Sequence, residues 1–223
     1  LQKLDAETKK AVPQGDATLE KAVYGLYARN DIVHPDGITG VIYKAGEQVA
    51  TLTTDKNGQA SVDGLYLGDY YVKEISPSVG YLADETEHDL VCNYEGDLVA
   101  EVKRDCTSLE QVMKQPFQII KVANNGKTDA DLLKGAGFTA YLESSLTKKA
   151  DGNYEFASAT PVVIGENGAT EMFTDEKGYA CSIALPYGTY IVRETTTPHN
   201  YTPVDDFTVR ITENNPNQPQ TWR

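Results

Sequence analysis

The feature that most constrains the fold of this chain is an internal repeat within its 223 residues. Several short motifs of the first half recur in the same order in the second half. Repetition of this kind marks duplicated structural units. The matching pairs are Thr54-Asp55-Lys56-Asn57-Gly58 with Thr174-Asp175-Glu176-Lys177-Gly178, Gly68-Asp69-Tyr70 with Gly188-Thr189-Tyr190, Val72-Lys73-Glu74 with Val192-Arg193-Glu194, and Tyr81 with Tyr201.

The repeat predicts two homologous domains, residues 1–114 and 115–223. An earlier motif pair, which begins at Leu19 and Leu133, is more closely spaced than the others, so the first copy carries a longer middle. The boundary is expected between Thr107 and Gln115. In this stretch, Ser108-Leu109-Glu110-Gln111-Val112 is charged and is interpreted as a helical segment of the connection.

Both copies consist of short runs that alternate apolar and polar residues between turns rich in Gly, Asn and Asp. Examples are Gln48–Thr53, Tyr70–Ile75, Thr189–Glu194 and Phe207–Ile211. Alternation with a period of two is typical of half-buried strands, and turn signals at this spacing are typical of β-sandwiches. Helical periodicity is scarce. The predicted fold class is all-β.

Composition excludes several classes of function. The net charge of −13 would repel a phosphate backbone, so no nucleic-acid partner is predicted. No apolar stretch approaches the roughly 20 residues of a membrane span, so no membrane insertion is predicted in this segment. Cys92, Cys106 and Cys181 are too few and too scattered for a zinc site. They are interpreted as packing residues, with a Cys92–Cys106 disulfide as the alternative. No metal and no cofactor is predicted.

Strand parity places charged side chains on inward faces. Tyr190, Val192 and Glu194 share one face of a predicted strand, and Glu74 holds the same place in the first copy. Phe117, Ile119 and Lys121 likewise share a face, and Lys3 opens the first copy in a comparable place. A buried carboxylate must be protonated, hydrogen-bonded or paired. A buried salt bridge in each domain is the simplest interpretation.

The motifs also resemble those of Cna-B-type (SpaA-like, prealbumin-like) domains of Gram-positive surface pilins and adhesins. The resemblance covers nearly the whole chain and rests on the order of the motifs, which occurs twice. It implies two tandem Greek-key β-sandwich domains of the prealbumin/immunoglobulin-like type. The residues that carry it are Lys3-Leu4-Asp5-Ala6-Glu7-Thr8, Ala22-Val23-Tyr24-Gly25-Leu26-Tyr27, Pro77-Ser78-Val79-Gly80-Tyr81, Leu133-Lys134-Gly135-Ala136-Gly137-Phe138, and the repeated pairs given above.

Many members of that family carry an internal isopeptide bond between a first-strand lysine and an Asn or Asp of the last strand, assisted by a buried acid. The resemblance implies that the reacting lysines are Lys3 and Lys121. Their assisting acids are Glu74 and Glu194, respectively. The family spacing places the first acceptor at Asp105 and the second beyond Arg223; Asn214 and Asn215 are interpreted as turn residues. The expectation is a Lys3–Asp105 bond in domain one and none in domain two.

The resemblance implies a structural stalk or backbone module of a cell-wall-anchored surface protein or pilin, outside a Gram-positive cell, and not an enzyme. Its expected partners are neighbouring domains or subunits of the same surface protein. The alternative is an adhesin module that binds a host extracellular-matrix protein or glycan. The loop-like stretch from Asp31 to Ile38, which lies in the longer middle of the first copy, is the candidate binding surface.

Overall fold

The computed structural model describes residues 1–126 and 131–223. The chain divides into two compact units, Leu1–Val112 and Met113–Arg223, called domain one and domain two below. The division falls two residues before the boundary that the repeat predicts. No helix in the described residues is long and apolar enough to cross a membrane.

Domain one is built from strands. A four-stranded antiparallel sheet has the order β5-β2-β6-β7, and a separate pair, β1 and β8, is parallel. A small hairpin, β3 and β4, forms within the longer middle of this copy. The strands are β1 (Gln2–Asp5), β2 (Val23–Ala28), β3 (Ile32–Val33), β4 (Val41–Tyr43), β5 (Gln48–Thr53), β6 (Gly68–Ser76), β7 (Glu87–Cys92) and β8 (Thr107–Glu110).

Domain two repeats this plan with more strands. Its four-stranded sheet has the order β14-β11-β17-β18, and a three-stranded sheet has the order β15-β10-β19. Two pairs, β12 with β13 and β16 with β9, complete it. The strands are β9 (Lys114–Gln115), β10 (Phe117–Ile120), β11 (Gly137–Leu142), β12 (Thr147–Lys148), β13 (Tyr154–Glu155), β14 (Glu171–Phe173), β15 (Tyr179–Cys181), β16 (Leu185–Pro186), β17 (Gly188–Thr196), β18 (Phe207–Ile211) and β19 (Gln220–Trp222), with 3₁₀ turns at Glu143–Ser145 and Glu166–Gly168.

Each domain packs its core between its own sheets. In domain two, the buried cluster joins Phe117 and Ile119 of β10 to Phe138, Tyr190 and Val209 of the four-stranded sheet. In domain one, a smaller cluster lies on the inner face of the four-stranded sheet. The predicted all-β fold is confirmed. The predicted helix at Ser108–Val112 is wrong, because Thr107–Glu110 forms β8.

Candidate functional site

A repeated turn positions the lysine of each domain. The Lys3 amide donates to the Gly58 carbonyl at 2.7 Å, and the Lys121 amide donates to the Gly178 carbonyl at 2.7 Å. A Cβ on Gly58 would lie 2.5 Å from the Lys3 carbonyl oxygen, and one on Gly178 would lie 2.4 Å from that of Lys121. Both glycines also have positive φ. The repeated turn motif therefore requires glycine, because the backbone of the lysine passes directly over it.

In domain one, Lys3 is fully buried between two carboxylates from different strands. Its Nζ lies 3.4 Å from Oε1 of Glu74, on β6, and 3.2 Å from Oε2 of Glu110, on β8. Both glutamate side chains are also buried, with 2% and 0% exposed. Nζ lies 5.1 Å from the centre of the Tyr81 ring as well. One ammonium group therefore faces two carboxylates in a site without solvent contact.

Glu110 is held by two hydroxyl groups. Tyr24 and Ser108 each donate to Glu110 Oε1 at 2.7 Å. No donor within the described residues makes an aligned hydrogen bond to Oε2, so charge alone holds the Lys3 ammonium to that oxygen. Burial raises the pKa of Tyr24, so its hydroxyl stays protonated and remains a donor.

Glu74 is positioned by the backbone. The Asp84 amide donates to Glu74 Oε2 at 2.9 Å, which leaves Oε1 facing Lys3. Burial, with the nearby charge of Glu110, raises the pKa of Glu74, although the Asp84 hydrogen bond and the Lys3 charge oppose that shift. A carboxyl with a raised pKa exchanges protons more readily near neutral pH, as a general acid and base requires.

Domain two has the same lysine–glutamate pair. Lys121, 7% exposed, places Nζ 2.7 Å from Oε2 of the buried Glu194, on β17. The Val204 amide donates to that oxygen at 2.9 Å, as Asp84 does to Glu74. Oε1 of Glu194 is buried without a hydrogen-bond partner in the described residues. The position equivalent to Tyr24 is Phe138, since each faces the glutamate of the neighbouring strand.

The structure places the predicted acceptor of domain one, Asp105, outside the buried site. Asp105 is exposed and precedes β8, so it is not the residue that faces Lys3. Glu110 occupies that place, because Ser108 and Glu110 are the inward-facing residues of β8 while Thr107 and Leu109 are exposed. The alternation of period two in this segment is the sequence signal for that strand, and the charge of the segment obscures it.

The other sequence-predicted residues remain outside the two sites. Asn214 accepts a hydrogen bond from the Lys114 amide at 3.1 Å, and the Asn215 amide donates to the Lys114 carbonyl at 2.9 Å. All three cysteines are free thiols in the structure. Within residues 1–126 and 131–223, no cluster of His, Cys, Asp or Glu has the composition of a metal site.

Comparison with known proteins identifies the family. The family model described as the SpaA prealbumin-like fold domain matches twice, over residues 1–105 and 115–223. The chain belongs to the SpaA family of prealbumin-like fold domains. This confirms the resemblance inferred from the repeated motifs, and the chain holds two SpaA domains in tandem. No curated protein matches the chain significantly.

Solved structures that are similar to this chain come from several bacteria. The Bacillus anthracis TIE protein is 26% identical with a TM-score of 0.57; the match covers 99% of this chain but 32% of that one, so this chain spans about a third of it. The minor pilin GBS52 from Streptococcus agalactiae is 18% identical, with 99% and 91% of the chains covered and a TM-score of 0.39. The shaft pilin SpaA from Lactobacillus rhamnosus GG is 18% identical, with 99% and 93% covered and a TM-score of 0.31.

Proposed function

We propose that this chain is a load-bearing stalk segment of a surface protein or pilin attached to the wall of a Gram-positive cell. Its partners are the neighbouring domains or subunits of the same surface protein. The main support is that a strand near the start of each domain lies parallel and adjacent to the last strand of that domain, as β1 with β8 and β10 with β19. Membership of the SpaA family supports the same function.

Parallel terminal strands give a mechanically strong geometry. A pull on the two ends of domain one moves Gln2–Asp5 and Thr107–Glu110 in opposite directions along their shared axis. All the hydrogen bonds between the strands are then loaded in shear together, whereas a pull across a strand pair opens them one after another. Because forced unfolding is governed by the unfolding barrier, this geometry raises the force at which the domain opens.

We further propose that an amide bond joins Lys3 to Glu110 in domain one. Glu74 carries protons one at a time from the Lys3 ammonium to Oε2 of Glu110. The neutral amine attacks the Glu110 carboxyl carbon, and Oε2 leaves as water with two of the three ammonium protons. The third proton stays on the amide nitrogen, Glu74 is restored, and no oxidant or cofactor is consumed. Folding brings the reacting atoms together, so each chain performs one turnover.

This bond would carry load around the domain. It would join β1 directly to β8, so tension would bypass residues 4–109 and the domain could not unravel. It would also constrain the unfolded chain, as a disulfide does. For domain two we propose no bond within these residues, since Glu194 is the carboxylate that contacts Lys121 in the described structure.

Intact-mass measurement of the purified chain tests this proposal. The expected mass is that calculated from the sequence less one water molecule, and the linked peptides should contain Lys3 and Glu110. The Lys3→Arg variant, which keeps the positive charge but has no reactive amine, should have its full calculated mass. A wild-type chain at full mass contradicts the bond. A low unfolding force for the linked chain in single-molecule pulling contradicts the load-bearing function.

The adhesin alternative has one favourable observation. Ile38, in the turn between β3 and β4, is 91% exposed, and Val33 and Val41 of the same hairpin are also exposed. Exposed apolar side chains on a projecting loop are typical of contact surfaces. Binding of labelled chain to host matrix proteins and glycan arrays, compared with the Ile38→Ser variant, tests this function. Equal signals from both chains would contradict a binding role for the hairpin.

A further inference from the structure

Two hydroxyl groups in domain one converge on a single carboxylate oxygen. Tyr24 donates to Glu110 Oε1 from β2, and Ser108 donates to the same atom from β8, each at 2.7 Å. All three side chains are buried. Lys3 approaches the other oxygen, Oε2, at 3.2 Å. The two oxygens of one carboxylate therefore have different surroundings, with donors on one side and an amine on the other.

Domain two shows that the Tyr24 hydroxyl is not required by the fold. At the position of Tyr24 it has Phe138, which is buried just as completely and faces the equivalent glutamate. A phenyl ring therefore satisfies the packing of this strand position. Packing alone therefore does not account for the Tyr24 hydroxyl, and its hydrogen bond to Glu110 points to a role toward that carboxylate.

We propose that Tyr24 and Ser108 are positioning residues that also form an oxyanion hole for Lys3–Glu110 bond formation. This inference rests on the proposed bond. When the Lys3 nitrogen attacks the carboxyl carbon, negative charge develops on Oε1, where the two donors already point. Oε2, which has no aligned donor, is the oxygen free to take up protons from Glu74 and leave as water. Preorganised donors aimed at developing charge stabilise a transition state strongly in a dry site.

The arrangement also fixes which atom reacts. A buried carboxylate with free rotation about its last bond would present either oxygen to the amine. Two hydroxyl donors on Oε1 prevent that rotation, so Oε2 and the carboxyl carbon stay in reach of Nζ. Because Tyr24 comes from β2 and Ser108 from β8, the site is complete only when these strands have docked. Bond formation would therefore follow folding of the whole domain.

The rate at which newly made chains release one water molecule, as the Lys3–Glu110 bond forms, tests this inference. The full chain is produced by cell-free synthesis, quenched in acidic denaturant at timed intervals and followed by intact mass. Tyr24→Phe and Ser108→Ala should each slow the loss of water by about a hundredfold, the usual effect of removing one oxyanion donor. Ser108→Thr keeps a hydroxyl and should recover most of the rate.

A matched control separates this role from general packing. Tyr70 is a second fully buried tyrosine of the same core, and its hydroxyl donates to the Tyr66 carbonyl at 2.6 Å and not to Glu110. Tyr70→Phe should therefore lose water at the wild-type rate. If wild type loses water and Tyr24→Phe and Ser108→Ala do so equally fast, the oxyanion hole is overturned and the bond stands. If wild type never loses water, both proposals are overturned.

Discussion

The two SpaA domains place a buried lysine against a buried glutamate in the same way, but they differ in what surrounds the pair. Domain one adds Glu110 and two hydroxyl groups that hold it. In domain two the described residues around Glu194 add only a backbone amide, and one carboxylate oxygen is left without a hydrogen bond. The lysine–glutamate pair is thus common to both domains, and in domain one β8 adds Glu110 and the hydroxyl group of Ser108 to it.

The apolar cores of the two domains also differ, and here domain two is the more complete of the two. The sheet facing the main sheet has three strands in domain two, where Phe117 and Leu185 are fully buried and Trp222 packs against the cluster. In domain one, β1 and β8 form a separate pair, and an open cavity of about 690 Å³ is lined by Leu26, Val72 and other residues. Domain one therefore combines a more elaborate polar site with a less completely filled apolar core.

Removing the lysine of domain one should have the largest effect. Lys3→Met leaves Glu74 and Glu110 buried without their cation, and breaking a buried ion pair in this way costs about 3–5 kcal/mol. Loss of the proposed bond adds to that cost. The free energy of unfolding is measured in denaturant by far-UV circular dichroism. Fluorescence of Trp222, the chain's single tryptophan, reports domain two separately.

Two variants sharpen this comparison. Lys121→Met should destabilise domain two, but by less, because one carboxylate loses its partner there and not two. Lys73→Met removes a more exposed lysine of domain one that pairs with Glu85, and should change stability by less than about 0.5 kcal/mol. Equal losses for Lys3→Met and Lys73→Met would show that the buried cluster contributes no special stability.

The stability of domain one should also depend on Glu74 and pH. Because the pKa of Glu74 is raised above 4.5 on folding, the folded state binds more protons, and stability falls as pH rises from 4.5 through the raised value. The Glu74→Gln variant should abolish this decline in thermal scans at successive pH values, while Glu20→Gln, at an exposed position, should retain it. If stability still falls with rising pH in Glu74→Gln, the titration of another side chain causes the fall.

Sequence alone predicted the fold because the repeat and the period of two report on backbone geometry directly. It also placed Lys3, Glu74, Lys121 and Glu194 on inward faces, since parity within a strand is a local property. Glu110 was missed because its role depends on long-range parallel pairing with β1, in which Asp5 lies opposite it. A short charged segment carries no local sign of that partner, so it was interpreted as a connection.

Enlarging a buried side chain in each core should produce the smallest change in stability. The change should have opposite signs in the two domains. Val72 and Val192 hold equivalent buried positions on β6 and β17, but Val72 lines the open cavity of domain one. Val72→Ile adds a methylene where room exists and should stabilise domain one by up to about 1 kcal/mol. Val192→Ile adds it to a filled core and should destabilise domain two by about 1 kcal/mol. Denaturant unfolding of both variants tests the difference, and the same sign in both domains would show that the cavity wall adjusts around Val72.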